Sequence, residues 1–454
     1  MKNLKLIILF SSISLSSFAQ FGLSPAQRDS INKRNNDDYN NMVKQIGIDP
    51  SRIRPGVSGN TKDTNAANSS EEKVNKYTLP DALILKNGKK ITTQKEWVEK
   101  RRPEIVADFE NEIYGKIPDK IPSVTWQIVS VKDTLLGNQA IKEKKLKGIV
   151  DNSAYPSLKV EINLVVVTPT NVNKAVPIVM EFGYIRNFFA TGPVKPIGLG
   201  SSGEPTWQEQ LISRGWGYAI IEPSSIQADN GAGITAGIIG LVNKGEYRKP
   251  DQWGALRAWA WGASRAIDYF ETDKNIDANR IAIEGLSRYG KAAIVAMAFE
   301  PRISLGFIGS SGAGGAKILR RVFGEQVENL ASSGEYHWFA GNFIKYASIL
   351  KPDDLPVDGH ELVALCAPRP LFISSGSPEV EGQWVDAKGM FLGAAHAGSV
   401  YQLFGKKDLG TMIFPKLGMP LIDGEIAFRQ HAGGHSTGPN WSTWIAWASR
   451  YWGK

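Results

Sequence analysis

The feature that most constrains this chain is a strand that runs almost without interruption into a helix. Residues 280–285 read RIAIEG, an apolar β-branched run, and residues 287–300 read SRYGKAAIVAMAFE, a helical pattern. A tight turn at Gly285 is all that separates them. Further strand candidates are SLKVEINLVVVTP (157–169), AVPIVMEF (175–182), GYAIIEP (217–223), ISLGFIGS (303–310) and RPLFISSG (369–376). Several are near-continuous apolar runs, as expected of strands covered on both faces. Helical patterns lie between them, TWQEQLISRG (206–215) and DQWGALRAWAWGASRAIDYFET (251–272). In the latter, Trp253, Leu256, Ala260, Ala263 and Ile267 follow helical spacing and read as core. Strands alternating with helices predict an α/β fold, a mostly parallel sheet between helical layers. In such sheets chemistry sits beyond the carboxyl ends of the strands.

The chain of 454 residues is 42% hydrophobic and 22% charged, ordinary for a globular protein. Residues 1–19, MKNLKLIILFSSISLSSFA, have two early lysines, an apolar stretch and a small-residue end. They read as a secretory signal peptide, so the mature chain is expected to begin at Gln20 and to be periplasmic or secreted. No cysteine follows this leader to carry a lipid anchor, and no later apolar run is long enough for a membrane span. Residues 20–76, with RNNDDYNN and GNTKDTNAANSSEEK, read as a polar, weakly ordered arm or linker. Residues 77–454 read as the catalytic domain. The net charge of +8 is mild and scattered, and no basic stripe with interleaved aromatics marks a nucleic-acid surface. Cys366 is the single cysteine, so it forms no internal disulfide, and its setting ELVALCAPRPLF makes it a buried, inert thiol.

Ser287 occupies the tight turn, with Arg288 and Lys291 close behind it. A serine hydroxyl is a weak nucleophile until a base takes its proton, and a third group usually orients that base. The nucleophile elbow answers the geometric need by exposing the serine on a sharp strand-to-helix turn. The second glycine, Gly290, comes one place later than in G-x-S-x-G, and the competing reading of Ser287 is a helix N-cap. Lys291 lies one helical turn beyond Ser287 and faces the same way. Among five histidines, His435 stands in RQHAGGHSTGPNW, ahead of the amphipathic stretch NWSTWIAWASRYW. That is where the chain order serine, acid, histidine of α/β hydrolases places the base. His431 shares the loop and competes with it. The acid is expected just past RPLFISSG, at Glu379, with Glu381 and Asp386 as nearby alternatives.

The segments GLSRYGKAA, SGAGGAKILRRVFGE, WGALRAWAWGASRAIDYF, APRPLFISSG, WVDAKGMF and GGH together resemble the glucuronoyl esterase family, carbohydrate esterase family 15. The likeness covers residues 80–454 and is of the bacterial type. It implies an α/β-hydrolase fold, a three-layer αβα sandwich, working without metal or organic cofactor. The substrate it implies is the ester joining a 4-O-methyl-glucuronate carboxyl on xylan to a lignin alcohol. It gives Arg288 the role of donor to the oxyanion and Lys291 the sugar hydroxyls. It gives Trp384 the uronate ring, and Glu325 and Glu335 further sugar hydroxyls. Fungal members carry a catalytic glutamate directly before S-G-x-G-G, where this chain has Ser310. The acid is therefore expected after the later strand, and Glu379 remains the choice. After residue 182 the chain reads GYIRNFF, where many members have an asparagine-rich loop. Two other readings stand beside this one. An acetyl xylan esterase would use the same triad, and a catalytically silent glycan-binding protein would explain the missing glutamate at position 310.

Overall fold

The computed structural model describes residues 24–185 and 205–453. The leader read at 1–19 and the RNFF part of GYIRNFF lie outside the described residues. Among the described residues nine strands form one sheet: β1 (Val124–Leu136), β2 (Gln139–Val150), β3 (Glu161–Pro169), β4 (Val176–Phe182), β5 (Gly217–Ile221), β6 (Ile276–Leu286), β7 (Ile303–Gly309), β8 (Leu371–Ser375) and β9 (Ile426–Gln430). Their spatial order is β1-β2-β3-β5-β4-β6-β7-β8-β9. The β1/β2, β2/β3 and β3/β5 pairs are antiparallel. From β5 to β9 every pair is parallel, so six carboxyl ends share one edge of the sheet.

Side chains alternate across the strands, and both faces are covered. Ile178, Met180, Ile281, Ile283 and Ile373 point into a core. That core is roofed by α3 (Ala255–Phe270), α4 (Arg288–Phe299), α5 (Gly359–Leu365) and α6 (Ala387–His396). Val179, Ala282, Phe307 and Phe372 face the other way, under α2 (Trp207–Ser213) and α7 (Trp441–Trp452). There Phe307 stacks on Trp444 with ring centroids 5.6 Å apart. The result is the three-layer αβα sandwich of the α/β-hydrolase fold. Cys366 is buried behind it, and burial pushes its thiol up to about 12.

Three regions differ from the sequence reading, the shortest being β9, whose IAFRQ ends in two polar residues and was not among the expected strands. The β1–β2 hairpin was not among the expected strands, because β2 reads QAIKEKKLKGIV and β1 is largely exposed at the sheet edge. An apolar run marks only strands buried on both faces.

The arm at residues 20–76, expected to be weakly ordered, is instead folded onto the body over its described part. Helix α1 (Pro25–Gln45) starts with a reciprocal cap between Ser24 and Gln27. Its Met42 and Val43 pack with Ile48 against Tyr336 and Ile344. Asn35 Oδ1 accepts from the Gly231 N–H at 2.8 Å, and its Nδ2 donates to the Ser333 carbonyl at 2.7 Å. Beyond the helix, Arg54 donates to the Ser348 carbonyl and pairs with Glu328 at 2.9 Å. A polar composition shows that a segment cannot build a core. It does not stop the segment from joining one.

Candidate active site

Strand β6 delivers Ser287 to the carboxyl edge of the sheet. The Ser287 backbone has φ 61° and ψ −129°, a strained conformation for a residue with a side chain. Its N–H donates to the Gly309 carbonyl of the neighbouring strand at 2.9 Å. Both glycines of the motif are sterically required. A Cβ at Gly285 would run into the Tyr289 carbonyl, and one at Gly290 into the Gly309 carbonyl. That close approach accounts for the late second glycine. The side chain of Ser287 makes no capping bond to the helix, which removes the N-cap reading. This is the geometry of a nucleophile elbow.

The loop after β9 carries His435. Two residues on, the Thr437 methyl lies against Gly309, the residue whose carbonyl holds the Ser287 N–H. The histidine loop therefore sits over the same strand end as the elbow. His435 Nδ1 is 2.6 Å from Glu381 Oε1. The other oxygen of Glu381 accepts from the Gly376 N–H at 2.5 Å, at the end of β8. His435 Nε2 is buried and has no hydrogen-bond partner among the described residues. His431 is spoken for: its Nδ1 accepts from the Gly433 N–H at 3.0 Å, and its Nε2 is 2.8 Å from the Ser436 carbonyl. It shapes the turn that presents His435.

The carboxylate beside His435 is thus Glu381, not Glu379, which corrects the sequence expectation. The reason is local. The N–H groups of Val380, Glu381 and Gly382 all turn back to the Ser377 carbonyl, Glu381 at 2.8 Å. This helical turn swings Glu381 inward, where its side chain is 2% exposed, and leaves Glu379 in solvent. Asp386 is occupied elsewhere, bonded by Arg321 Nε at 2.9 Å and accepting from the Gly389 N–H at the start of α6. Ser310 is buried at the end of β7, its hydroxyl unpartnered among the described residues. His435 has a carboxylate even though position 310 supplies none, so the silent-binder reading loses its support.

The residues expected around the sugar converge next to the elbow. Lys291 is buried on α4, and its Nζ donates to the Ser311 carbonyl and to Glu325 Oε2, both at 2.8 Å. The same Glu325 oxygen accepts from the Ala313 N–H at 3.1 Å. The Glu325 N–H donates to the Trp384 carbonyl at 2.9 Å, which joins the Trp384 segment to this pocket. The Trp384 side chain is half-buried against the core. Glu335 has one buried oxygen without a partner among the described residues. Burial, followed by the charge of nearby Glu325, pushes its carboxyl up to about 8 against the pull of Lys291. Trp338, which the sequence reading passed over, lies with its ring centroid 5.9 Å from Lys291 Nζ.

Arg288 opens α4. Its Nε is 2.6 Å from Asp229 Oδ2, and its Nη2 donates to the Tyr184 hydroxyl at 3.1 Å. Burial alone would weaken its proton affinity, but Asp229 and the flanking tyrosines hold the guanidinium above the usual arginine value. Tyr184 and Asp229 were missed in the sequence: Tyr184 follows closely on β4, while Asp229 lies beyond β5 and a helical turn at Pro223–Ile226. Beneath the elbow, Glu284 of β6 pairs in register with Glu181 of β4. Burial pushes Glu284 up to about 8, and its carboxyl bonds Thr437 of the histidine loop.

Sheet, elbow and carboxylate-paired histidine together define an α/β hydrolase. A family model for fungal glucuronyl esterases matches residues 246–405. A glucuronoyl esterase of carbohydrate esterase family 15 from Teredinibacter turnerae T7901 has a TM-score of 0.84 and 41% identity, over 92% of this chain and 100% of that one. The carbohydrate esterase MZ0003 of an unknown prokaryotic organism is 33% identical over 410 residues, 85% of this chain and 92% of its own. A 4-O-methyl-glucuronoyl methylesterase from Wolfiporia cocos is 27% identical, across 80% of this chain and 79% of its own. The chain belongs to carbohydrate esterase family 15, the glucuronoyl esterases. It is a carboxylic ester hydrolase. No helix among the described residues is long and apolar enough to cross a membrane.

Proposed function

We propose that the chain cleaves the ester between the carboxyl of glucuronate, or its 4-O-methyl ether, and an alcohol, with lignin-linked glucuronoxylan as the polymer substrate. The observation that carries this reading is one juxtaposition. The Ser287 elbow and the His435–Glu381 pair lie at the same strand ends as the buried Lys291–Glu325 pair.

Ser287 Oγ attacks the ester carbonyl carbon while His435 Nε2 takes the hydroxyl proton. Glu381 holds Nδ1–H and offsets the charge of the imidazolium. The Arg288 guanidinium and its backbone N–H, free of an intrahelical partner in the first turn of α4, meet the negative charge on the carbonyl oxygen. A donor placed there contributes ~3 kcal/mol. Collapse breaks the bond to the alcohol, which leaves with the proton from His435. Water, deprotonated by the same nitrogen, then attacks the glucuronoyl–Ser287 ester and frees glucuronate and serine. Lys291 donates to sugar hydroxyls, Glu325 and Glu335 accept from them, and Trp338 and Trp384 offer apolar ring faces. Export through the leader at 1–19 would bring the enzyme to a polymer that cannot enter a cell.

The test compares release of benzyl alcohol from benzyl glucuronate with release of acetate from acetylated xylan. Polar groups built for a uronate are left unpaired by a simple acetyl group, so the acetate reaction should be slower by about 10²-fold or more in kcat/KM. Equal rates would favour the acetyl xylan esterase reading.

A further inference from the structure

Asp229 lies in QADNGAG, beyond the carboxyl end of β5. Its carboxylate is divided between two tasks. Oδ2 is 2.6 Å from Arg288 Nε. Oδ1 accepts from the Trp338 indole N–H at 2.6 Å and stands 3.2 Å from His337 Nε2. Burial disfavours this charge, but His337, Arg288 and Trp338 outweigh it and hold the carboxyl below its ordinary range. One carboxylate therefore touches both the expected oxyanion donor and an aromatic wall of the sugar pocket.

We propose that Asp229 is the positioning residue for Arg288, an inference that rests on the esterase reading above. A guanidinium has five N–H donors in a rigid fork. Asp229 holds the Nε edge by charge, without a hydrogen bond, and the Tyr184 hydroxyl takes one Nη2 donor, which leaves three Nη donors for a developing oxyanion. An untethered arginine loses rotamer freedom when it is fixed, and here that loss falls on folding, before substrate arrives. Preorganised charge of this kind acts on the transition state, not on substrate binding.

Asp229→Asn separates the two tasks. The indole N–H of Trp338 still needs an acceptor, so the amide oxygen stays with Trp338 and the NH₂ turns toward Arg288 Nε, donor against donor. The sugar pocket is kept and the arginine is released. We expect Asp229→Asn to lower kcat on benzyl glucuronate by about 10–100-fold with KM within about threefold, and Arg288→Ala to lower kcat by about 10²–10³-fold. The double variant should match Arg288→Ala within about threefold, because Asp229 acts through a group already removed. A purely structural aspartate would give independent losses that multiply, and that result overturns the proposal. So does an Asp229→Asn enzyme whose kcat stays within about twofold of the parent while Arg288→Ala is impaired. If Arg288→Ala itself leaves kcat unchanged, the oxyanion role of Arg288 fails first and the positioning role falls with it.

Discussion

Replacing Glu381 by glutamine changes one charge and almost no volume, so it isolates what the carboxylate does for His435. The ion pair formed when His435 gains a proton spans 2.6 Å and is shielded from solvent on the glutamate side. Two unit charges at that distance attract by about 6 kcal/mol at an effective dielectric constant near 20. The amide has a second handicap. Glu381 also accepts from the Gly376 N–H, and one amide oxygen cannot serve both that donor and Nδ1–H. If the oxygen stays with Gly376, the NH₂ faces Nδ1 and forces the ring proton onto Nε2, where the lone pair is needed. In serine hydrolases the corresponding acid-to-amide change lowers kcat by about 10⁴-fold, or about 5.5 kcal/mol. We therefore expect Glu381→Gln to lose about 10³–10⁴-fold in kcat, with little change in KM. Initial rates of alcohol release from benzyl glucuronate, with melting temperature as a fold control, measure it. The matched control is Glu379→Gln, in solvent, which should stay within about twofold. A Glu381→Gln enzyme with more than a tenth of the parental kcat, or a crippled Glu379→Gln, would refute the assignment.

Ser287→Ala and His435→Ala should each remove about 10⁴-fold or more of the activity, and combining them should add little, since the groups act as a unit. Multiplying losses in the double variant would count against the shared mechanism. Glu335 titrates near 4.5 in an unfolded chain and at about 8 in the fold, so between those values the native state holds a proton that the unfolded chain has released. Stability therefore falls as pH rises through that window and levels off above it. Thermal melts should show Glu335→Gln gaining on the parent at pH 8 and not at pH 4, and an equal difference at both would contradict the assigned titration. Asn35→Ala deletes a side chain that accepts from Gly231 and donates to Ser333, so α1 should open more easily by about 1–3 kcal/mol and heat inactivation should begin at a lower temperature. An unchanged inactivation curve would mean that α1 contributes nothing there.

Strands β3 to β8 were legible because burial on both faces leaves uninterrupted apolar runs, whereas β9, IAFRQ, is short and ends in two polar residues. The β1–β2 hairpin was hidden by its own position: an edge strand spends its side chains on solvent. Ser287 and His435 could be located because an elbow and a late glycine-rich loop are local in sequence. The partner of His435 is not local information. Glu379 and Glu381 are equivalent on paper, and only the turn back to the Ser377 carbonyl separates them. Asp229 carried a weaker signal, a carboxylate beyond the helical turn that follows β5. Its link to Arg288 and Trp338 spans connections that no spacing rule predicts.

Helix α1 has only Asp38, Met42 and Val43 buried along its length, yet through Asn35 it ties the loop of Asp229 to the loop of Glu335. A largely polar helix so lightly anchored belongs to the low-stability end of a protein's local opening spectrum. On warming it should peel away while the central sheet is still intact. The two loops would then be released together, one beside the arginine and the other beside the sugar. Heat inactivation would accordingly begin as a loss of alignment in the pocket, several degrees before circular dichroism records any melting of the sandwich.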